Sequence, residues 1–273
     1  MSNVFFVFIG FSLGIVALVF YKGMGVIYSW LFEAKVYLNN SKDTEWIPIL
    51  EKEFPFYNKL PAESKKLFLS KANYFYRGKN FIPKSGFHID ERKKLLICAS
   101  AAQLTFGLPL LKLPHFKDIL IYPSSYYNKF TQRKHEGEVN TRGLIVFSWE
   151  HIQKGFDNPV DGKNVALHEL AHALRFEDFY PNEERNFLSQ ADVTEFYHLF
   201  KKVKQLSNTG LPTFLNSYAF TNLEEFFAVS VESFFERPIE FKSKMPDLYN
   251  CMCKLLNQDT FLLENLNKNK VKY

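Results

Sequence analysis

The stretch that decides the fold is "NVALHELAHALRFED", residues 164–178. Its apolar residues recur at helical spacing, which predicts a helix over 161–176. In a helix, residues four apart lie on one face about one turn apart, so His168 and His172 can point at one ion. Glu169 lies about 100° round the helix from His168, so it can miss that ion and reach a water held by it. This is the H-E-x-x-H pattern of zinc hydrolases, and the alternative is an ordinary helix face that carries two histidines.

A catalytic zinc usually has a third protein ligand. A histidine at the spacing used by metzincins is excluded, because position 175 is arginine and position 178 is aspartate. Asp178 is itself one candidate, although no glycine turns the chain at 175. The other candidate lies on a second helix, which is predicted from "TNLEEFFAVSVESFFERP", residues 221–238.

The start of this second helix leaves one glutamate without a local function. Thr221 and Glu224 have the spacing of a capping box, and Pro238 ends the helix. Capping occupies Glu224, so Glu225 is available as the third zinc ligand.

One face of the second helix carries Glu225, Ala228, Val229 and Glu232. The small residues would let this helix pack closely on the H-E-x-x-H helix. Glu232 would then lie beside a histidine and orient it. The alternative interpretation is that these glutamates form a solvated acidic stripe, and it is less favoured for Glu225 than for Glu232.

The rest of the chain predicts an α+β fold that is mostly helical around a small sheet. Helices are expected at 60–79, 88–107 (with Asp90 as N-cap), about 184–206 and 246–257. Strands are expected at 116–126 and 143–149, and "EGEVNTRG" (136–143) is interpreted as a connecting loop. By analogy with zinc peptidases, the strand at 143–149 is expected to pair with an extended substrate.

Composition excludes some classes of function. The formal net charge is +5, and no basic run is interleaved with aromatic residues, so nucleic acid is not an expected partner. The three cysteines (Cys98, Cys251 and Cys253) fit a reducing compartment better than a disulfide-stapled domain. Cys251-x-Cys253 has the form of half a metal site, but two ordinary thiols are favoured because there is no second cysteine pair.

The N-terminus predicts a membrane anchor. Residues 4–20, "VFFVFIGFSLGIVALVF", carry no charge, and no basic side chain precedes them as a signal peptide would require. Lys22, Lys35 and Lys42 follow the segment, which predicts a single-pass protein with a cytoplasmic catalytic domain. The expected organisation is an N-terminal hydrophobic helix with a juxtamembrane helix over 1–40, a zinc metallopeptidase domain over 41–260 and a basic tail over 261–273.

The H-E-x-x-H stretch and the second glutamate-bearing helix resemble a known family. "GLIVFSWEHIQKGFDNPVDGKNVALHELAHAL" (143–174) and "SYAFTNLEEFFAVSVESFFE" (217–236) resemble the Mlc titration factor A family of zinc peptidases. The catalytic core of that family is similar to that of anthrax lethal factor. The match continues upstream through "LPAESKKLFLSKANYFYRGKNF", "LLICASAAQLTFGLPLL" and "ILIYPSSY", so it covers nearly everything from about 45 to 257.

The resemblance implies a zincin-like fold in which His168, His172 and Glu225 hold Zn2+ and Glu169 is the general base. It also implies that Tyr218 lies near the substrate carbonyl, where a phenol can stabilise the oxyanion.

The expected function is therefore a membrane-anchored zinc metallopeptidase acting on a peptide or protein substrate. Whether it cleaves internally or as an aminopeptidase stays open. The rival is a zinc-containing regulatory module that docks a protein partner, such as a transcriptional regulator, without significant proteolysis.

Overall fold

A computed structural model describes residues 42–128, 132–179, 187–207 and 213–270. Within them lie eleven helices, one 3-10 turn (Ser217–Phe220) and six strands. The helices are α1 (Asp43–Glu53), α2 (Pro55–Lys59), α3 (Ala62–Arg77), α4 (Glu91–Leu104), α5 (Trp149–Asp157), α6 (Val165–Phe179), α7 (Gln190–Ser207), α8 (Leu223–Glu236), α9 (Pro238–Lys244), α10 (Pro246–Leu256) and α11 (Thr260–Lys270). The strands are β1 (Asn80–Pro83), β2 (Asp118–Tyr122), β3 (Tyr126–Asn128), β4 (Arg133–His135), β5 (Gly137–Asn140) and β6 (Leu144–Ser148). The prediction of a mostly helical α+β fold with a small sheet is confirmed.

Four strands form the main sheet in the order β1-β2-β6-β5. The first three strands run parallel, and β5 pairs antiparallel with β6 at one edge. Buried side chains alternate along β2, where Ile119 and Ile121 face the core opposite Ile145 and Phe147 of β6. Strands β3 and β4 form a separate antiparallel pair.

The edge strand corrects one sequence prediction. Residues 136–143 were expected to be a loop, yet Gly137–Asn140 form β5. Glycine, glutamate and asparagine are poor strand formers, so this strand depends on its pairing with β6 rather than on its own propensity. The correction matters because β6, the strand expected to bind substrate, is paired on both sides, by β2 and by β5.

Helices α6 and α8 pack against each other in the core. Every residue of α8 from Phe226 to Glu236 is buried, and the inward alanines and leucines of α6 are at most 1% exposed. The face of α6 that carries His168 also carries Ala171, which is fully buried and adds little bulk there. This packing brings polar side chains of the two helices together.

Two helix starts test the predicted caps. Asp90 caps α4 as predicted, accepting a hydrogen bond from the Lys93 backbone N–H at 2.8 Å. The predicted Thr221–Glu224 capping box is wrong, because Asn222 is the N-cap of α8 and its side chain accepts from the Glu225 backbone N–H at 2.8 Å. Asparagine is a strong N-cap, and it starts the helix one residue later than predicted.

The predicted single-pass membrane localisation does not hold. No helix in the part of the chain that the structure describes is both long and apolar enough to cross a bilayer. Helix α7, the longest of them, has 18 residues and carries charged side chains, whereas a span needs about 20 mostly apolar residues. The segment predicted as the anchor, 1–40, lies outside the described residues.

The segment interpreted as a basic tail, 261–273, begins inside α11. Phe261 and Leu263 pack against the core there. Apolar contacts therefore fold the first part of this segment onto the domain.

Candidate metal centre

The H-E-x-x-H stretch lies on α6, whose first turn is capped by Asn164. The Asn164 side-chain oxygen accepts from the Leu167 backbone N–H at 3.0 Å, and its backbone carbonyl accepts from His168 at 2.8 Å. The His168 and His172 rings are nearly perpendicular, with their centroids 4.8 Å apart, and their Nε2 atoms are 3.1 Å apart. Helical spacing therefore produces the convergence that the sequence predicts.

Helix α8 brings Glu225 to the same point. Its Oε2 lies 3.1 Å from His168 Nε2 and 3.4 Å from His172 Nε2. One donor atom from each of the three side chains falls within 4.8 Å of the others, and this is the one such group of three or more found among the described residues.

The donor set fits a tetrahedral metal. Ligands about 2.0–2.1 Å from a tetrahedral zinc lie about 3.3 Å from one another. The three separations here, 3.1, 3.1 and 3.4 Å, are close to that value. Three electron-pair donors that converge so closely need a proton or a cation between them, and two imidazoles with one carboxylate are ligands that zinc prefers.

Glu232 lies two turns after Glu225 on α8 and contacts the Nδ1 side of the His168 ring, away from the other donors. Its Oε2 is 3.2 Å from His168 Nδ1, and its Oε1 accepts from the Asn164 backbone N–H at 2.7 Å. With Nδ1–H donating to Glu232, Nε2 is the ring nitrogen that faces Glu225 and His172 and that would bind a metal once it has lost its proton. The structure thus places the Glu232 carboxylate against the Nδ1 side of the His168 ring.

Sequence reasoning missed Glu236, one turn further along α8. Its carboxylate accepts from the backbone N–H groups of Gly162 (2.9 Å) and Lys163 (3.1 Å) and from the Asn164 side chain (3.0 Å). Burial raises the pKa of Glu236 to about 7. The sequence did offer one signal for Glu236, its four-residue spacing from Glu232, which places both on one helix face. Hydrogen bonds from residues 162–164 to these two glutamates connect the start of α6 to α8.

Glu169 is buried beside the donor group. Glu169 is only 7% exposed, and this burial raises its pKa to about 7. The charges of His168 and His172 lower the pKa, but burial has the larger effect. The edge strand passes close to it at Gly137, where an added Cβ would lie 2.6 Å from Glu169 Oε1. A side chain at 137 would therefore have to displace this carboxylate.

Charge coupling shifts the pKa values of the donor residues. Burial alone would lower the pKa of His168, but its hydrogen bonds to Glu225 and Glu232 outweigh burial and raise it to about 10. Burial alone would raise the pKa of Glu225, but its hydrogen bonds to His168 and His172 hold it well below the usual range. The carboxylate therefore stays ionised, as a metal ligand must be.

Tyr218 lies on the 3-10 turn, 53% exposed, at the mouth of the site. Its ring centroid is 6.1 Å from that of His168, and its hydroxyl is hydrogen-bonded to Glu225. Burial and then the charge of Glu225 raise its pKa to about 12, so the phenol stays protonated at neutral pH and can donate.

The other candidate ligands lie elsewhere. Asp178 accepts from the Leu188 backbone N–H at 3.1 Å and is not part of the donor group. Cys251 is buried on α10, and Cys253 is partly buried there. Within the described residues neither cysteine belongs to a cluster that could hold a metal.

A cavity of about 380 Å³ opens over the donor group. Its floor comes from α6 and the first turn of α8, and one wall is the edge strand β5 with Gly137, Glu138 and Val139. Glu138 accepts from the Tyr126 hydroxyl (3.3 Å) and from the Asn128 side chain (2.7 Å), so β3 supports that wall.

The chain is similar in sequence to known proteins over most of its length. An uncharacterized protein of Synechocystis sp. (strain PCC 6803) is 29% identical over 226 residues, covering 77% of this chain and 82% of that protein. Mlc titration factor A of Salmonella typhimurium is 26% identical over 252 residues, covering 84% of this chain and 91% of that protein. Residues 29–256 match the family described as glucose-regulated metallo-peptidase M90, and this match contains all the donor residues described above. The resemblance to the Mlc titration factor A family is confirmed, and the chain belongs to the M90 metallopeptidase family.

Proposed function

We propose that this protein is a zinc-dependent peptidase whose metal is held by His168, His172 and Glu225. The observation that carries the proposal is the convergence of these three donors beside the buried carboxylate of Glu169, on the floor of a cavity. A purely structural site would need neither a buried acid next to the donors nor an open approach.

Zinc in this site supplies Lewis-acid chemistry, polarising the scissile carbonyl and making water acidic enough to attack near neutral pH. Glu169 accepts the proton of the attacking water and later delivers it to the leaving amine. Burial raises the pKa of Glu169 above the ordinary carboxyl range, which favours proton uptake from the water. Glu232 holds His168 through Nδ1, which keeps Nε2 available to the metal.

Tyr218 is proposed to stabilise the oxyanion. The Tyr218 hydroxyl is hydrogen-bonded to Glu225, at the edge of the donor group, and it stays protonated at neutral pH. A phenol that donates to the carbonyl oxygen as negative charge develops lowers the barrier for attack.

The substrate is proposed to lie extended along β5. This strand pairs with β6 on one side and lines the cavity with three of its four residues. An extended peptide can add to such an edge by backbone hydrogen bonds, which places its carbonyl over the donor group without demanding a particular sequence.

The test is hydrolysis of a fluorogenic peptide library by purified protein with zinc restored. Wild type should cleave, and Glu169→Gln should keep zinc, measured by atomic absorption, while losing cleavage by at least a hundredfold. Full activity in this variant would refute the role of Glu169. Asp178→Asn is the matched control for Glu225→Gln, because each removes one charge, and only the change at Glu225 should release zinc.

A regulatory module that binds zinc is the second candidate. Relatives named Mlc titration factor A carry a name that points to a regulatory role in those proteins. If zinc-loaded wild type cleaves no peptide and chelation unfolds the protein, the module is favoured; cleavage that depends on Glu169 favours the peptidase.

A further inference from the structure

Glu236 on α8 is a buried carboxylate that holds the turn before α6. It is only 8% exposed, and the three hydrogen bonds that it accepts all come from N–H groups of that turn. Its Oε2 accepts from the backbone N–H groups of Gly162 and Lys163, and its Oε1 accepts from the Asn164 side chain. Gly162 has a φ of +76°, and a left-handed residue lets successive N–H groups converge on one anion. The turn therefore requires a group that accepts hydrogen bonds at both of its polar atoms.

Asn164 is the residue through which this turn reaches the metal centre. Its backbone N–H donates to Glu232 at 2.7 Å, and its side-chain NH2 donates to Glu236 at 3.0 Å. Its side-chain oxygen accepts from the Leu167 N–H, and its backbone carbonyl accepts from the His168 N–H. The side-chain amide therefore has one allowed orientation, because the reversed amide would place its oxygen against a carboxylate and its NH2 against an N–H group.

Glu232 completes the connection between the turn and the metal centre. Its Oε1 accepts from the Asn164 backbone N–H, and its Oε2 lies 3.2 Å from His168 Nδ1. Glu232 and Glu236 are one turn apart on the same face of α8. Two buried carboxylates this close need hydrogen-bond donors, and Asn164 donates to each of them.

We propose that Glu236 is a positioning residue for His168, one of the three proposed zinc ligands. It acts through Asn164, which it fixes by hydrogen bonding, and then through Glu232, which Asn164 fixes in turn. This inference rests on the proposed function, because it requires zinc at the donor group. The variant Glu236→Gln offers one acceptor oxygen and one NH2 group, so an NH2 group must face either the Asn164 NH2 or the two backbone N–H groups. In both cases the turn shifts, and the support for the His168 ring loosens.

The test is a competition titration of zinc against a chromogenic chelator at pH 8, which does not depend on hydrolysis of any peptide. Glu236→Gln should bind zinc about tenfold more weakly than wild type, as expected when a group that supports a metal ligand is lost. Glu240→Gln removes an exposed carboxylate four residues further on, and it should bind zinc as wild type does. Urea denaturation of the metal-free proteins checks that each is folded under the conditions of the titration.

A double-variant comparison tests whether Glu236 acts through Glu232. In a Glu232→Gln background, Glu236→Gln should change zinc affinity by less than about twofold, because the connection to His168 is already broken. A further tenfold loss in that background would overturn the inference, since a general loosening of the fold acts whether or not Glu232 is present.

Exchanging the two hydrogen-bonding groups tests the pattern itself. Asn164→Asp combined with Glu236→Gln restores matched donors and acceptors: the glutamine NH2 donates to the aspartate, and the glutamine oxygen accepts from the two backbone N–H groups. Aspartate is also a good N-cap, so the start of α6 is preserved. This exchange variant should bind zinc within about threefold of wild type, and it should do so even if Glu236→Gln alone does not fold.

The outcomes separate this inference from the proposed function. Unchanged zinc affinity in Glu236→Gln, or an exchange variant that does not fold or binds zinc as weakly as Glu236→Gln, would overturn the inference alone. Wild type that binds no zinc would overturn the proposed metal site and this inference with it. If wild type binds zinc and the variants behave as expected but no peptide is cleaved, the inference stands and the peptidase function fails.

Discussion

Replacing Glu169 by glutamine is expected to stabilise the metal-free protein above neutral pH while abolishing hydrolysis by the zinc-loaded protein. The carboxylate is buried beside a strand that passes it at Gly137, and burial raises its pKa from the ordinary 4.5 to about 7. Glutamine has nearly the same shape and carries no charge, so the buried ion disappears without opening a cavity.

The magnitude follows from proton linkage. The folded state binds the Glu169 proton more tightly than the unfolded state, so stability from this group is present at low pH and is lost as pH rises from about 4.5 to about 7. A tenfold change in proton affinity is worth about 1.4 kcal/mol, so the full loss is about 3 kcal/mol above pH 7. Glu236 titrates in the same range, but its contribution is common to both proteins and cancels in their difference.

The assay is urea denaturation of chelator-treated wild type and Glu169→Gln at pH 5 and pH 8. The variant should gain little at pH 5 and about 2–3 kcal/mol at pH 8. Glu224→Gln, a change at an exposed carboxylate on the same cavity, should show no such dependence on pH. An equal difference at both pH values, or a variant less stable than wild type at pH 8, would refute the burial argument.

Four further changes test the other parts of the site. Glu225→Ala should lose zinc, and undiminished zinc content by mass spectrometry would exclude this glutamate as the third ligand. Glu232→Gln should weaken zinc binding by about 10–100-fold in a competition titration, because His168 loses its charged partner; unchanged affinity would reduce Glu232 to a packing role. Tyr218→Phe should lower kcat by about 10–100-fold with zinc content unchanged, and an unaltered kcat would remove the phenol from the mechanism. Gly137→Ala should displace Glu169 and lower activity by at least about tenfold, since real Cβ contacts do not reach 2.6 Å; full activity would show that β5 can shift.

Much of the site could be predicted because helical spacing is a local property. His168, Glu169 and His172 share one helix, so their relation follows from 3.6 residues per turn. The spacing between Glu225 and Glu232 is predictable for the same reason. Thr221 does not cap α8 as predicted, because Asn222 does. The helix face that carries Glu225 and Glu232 is the same in both cases, since a one-residue shift of the cap leaves the helix phase unchanged.

Other features could not be predicted from the sequence. The strand Gly137–Asn140 has little intrinsic preference for extended structure and exists through its pairing with β6. The partnership of Glu236 with the turn before α6 spans 74 residues and leaves no periodic trace. Arg175 was notable in the sequence only because it excluded a metzincin ligand.

The sequence by itself determined which side chains lie on a common helix face, because their phase is set by backbone hydrogen bonds within a few residues. Only the tertiary structure decided that Glu225 approaches His168 across 57 residues, that β5 forms the open edge and that Arg175 lines the cavity. These outcomes depend on how α6 and α8 bury their apolar faces against each other. That packing free energy is summed over the whole core, and no short stretch of sequence encodes it.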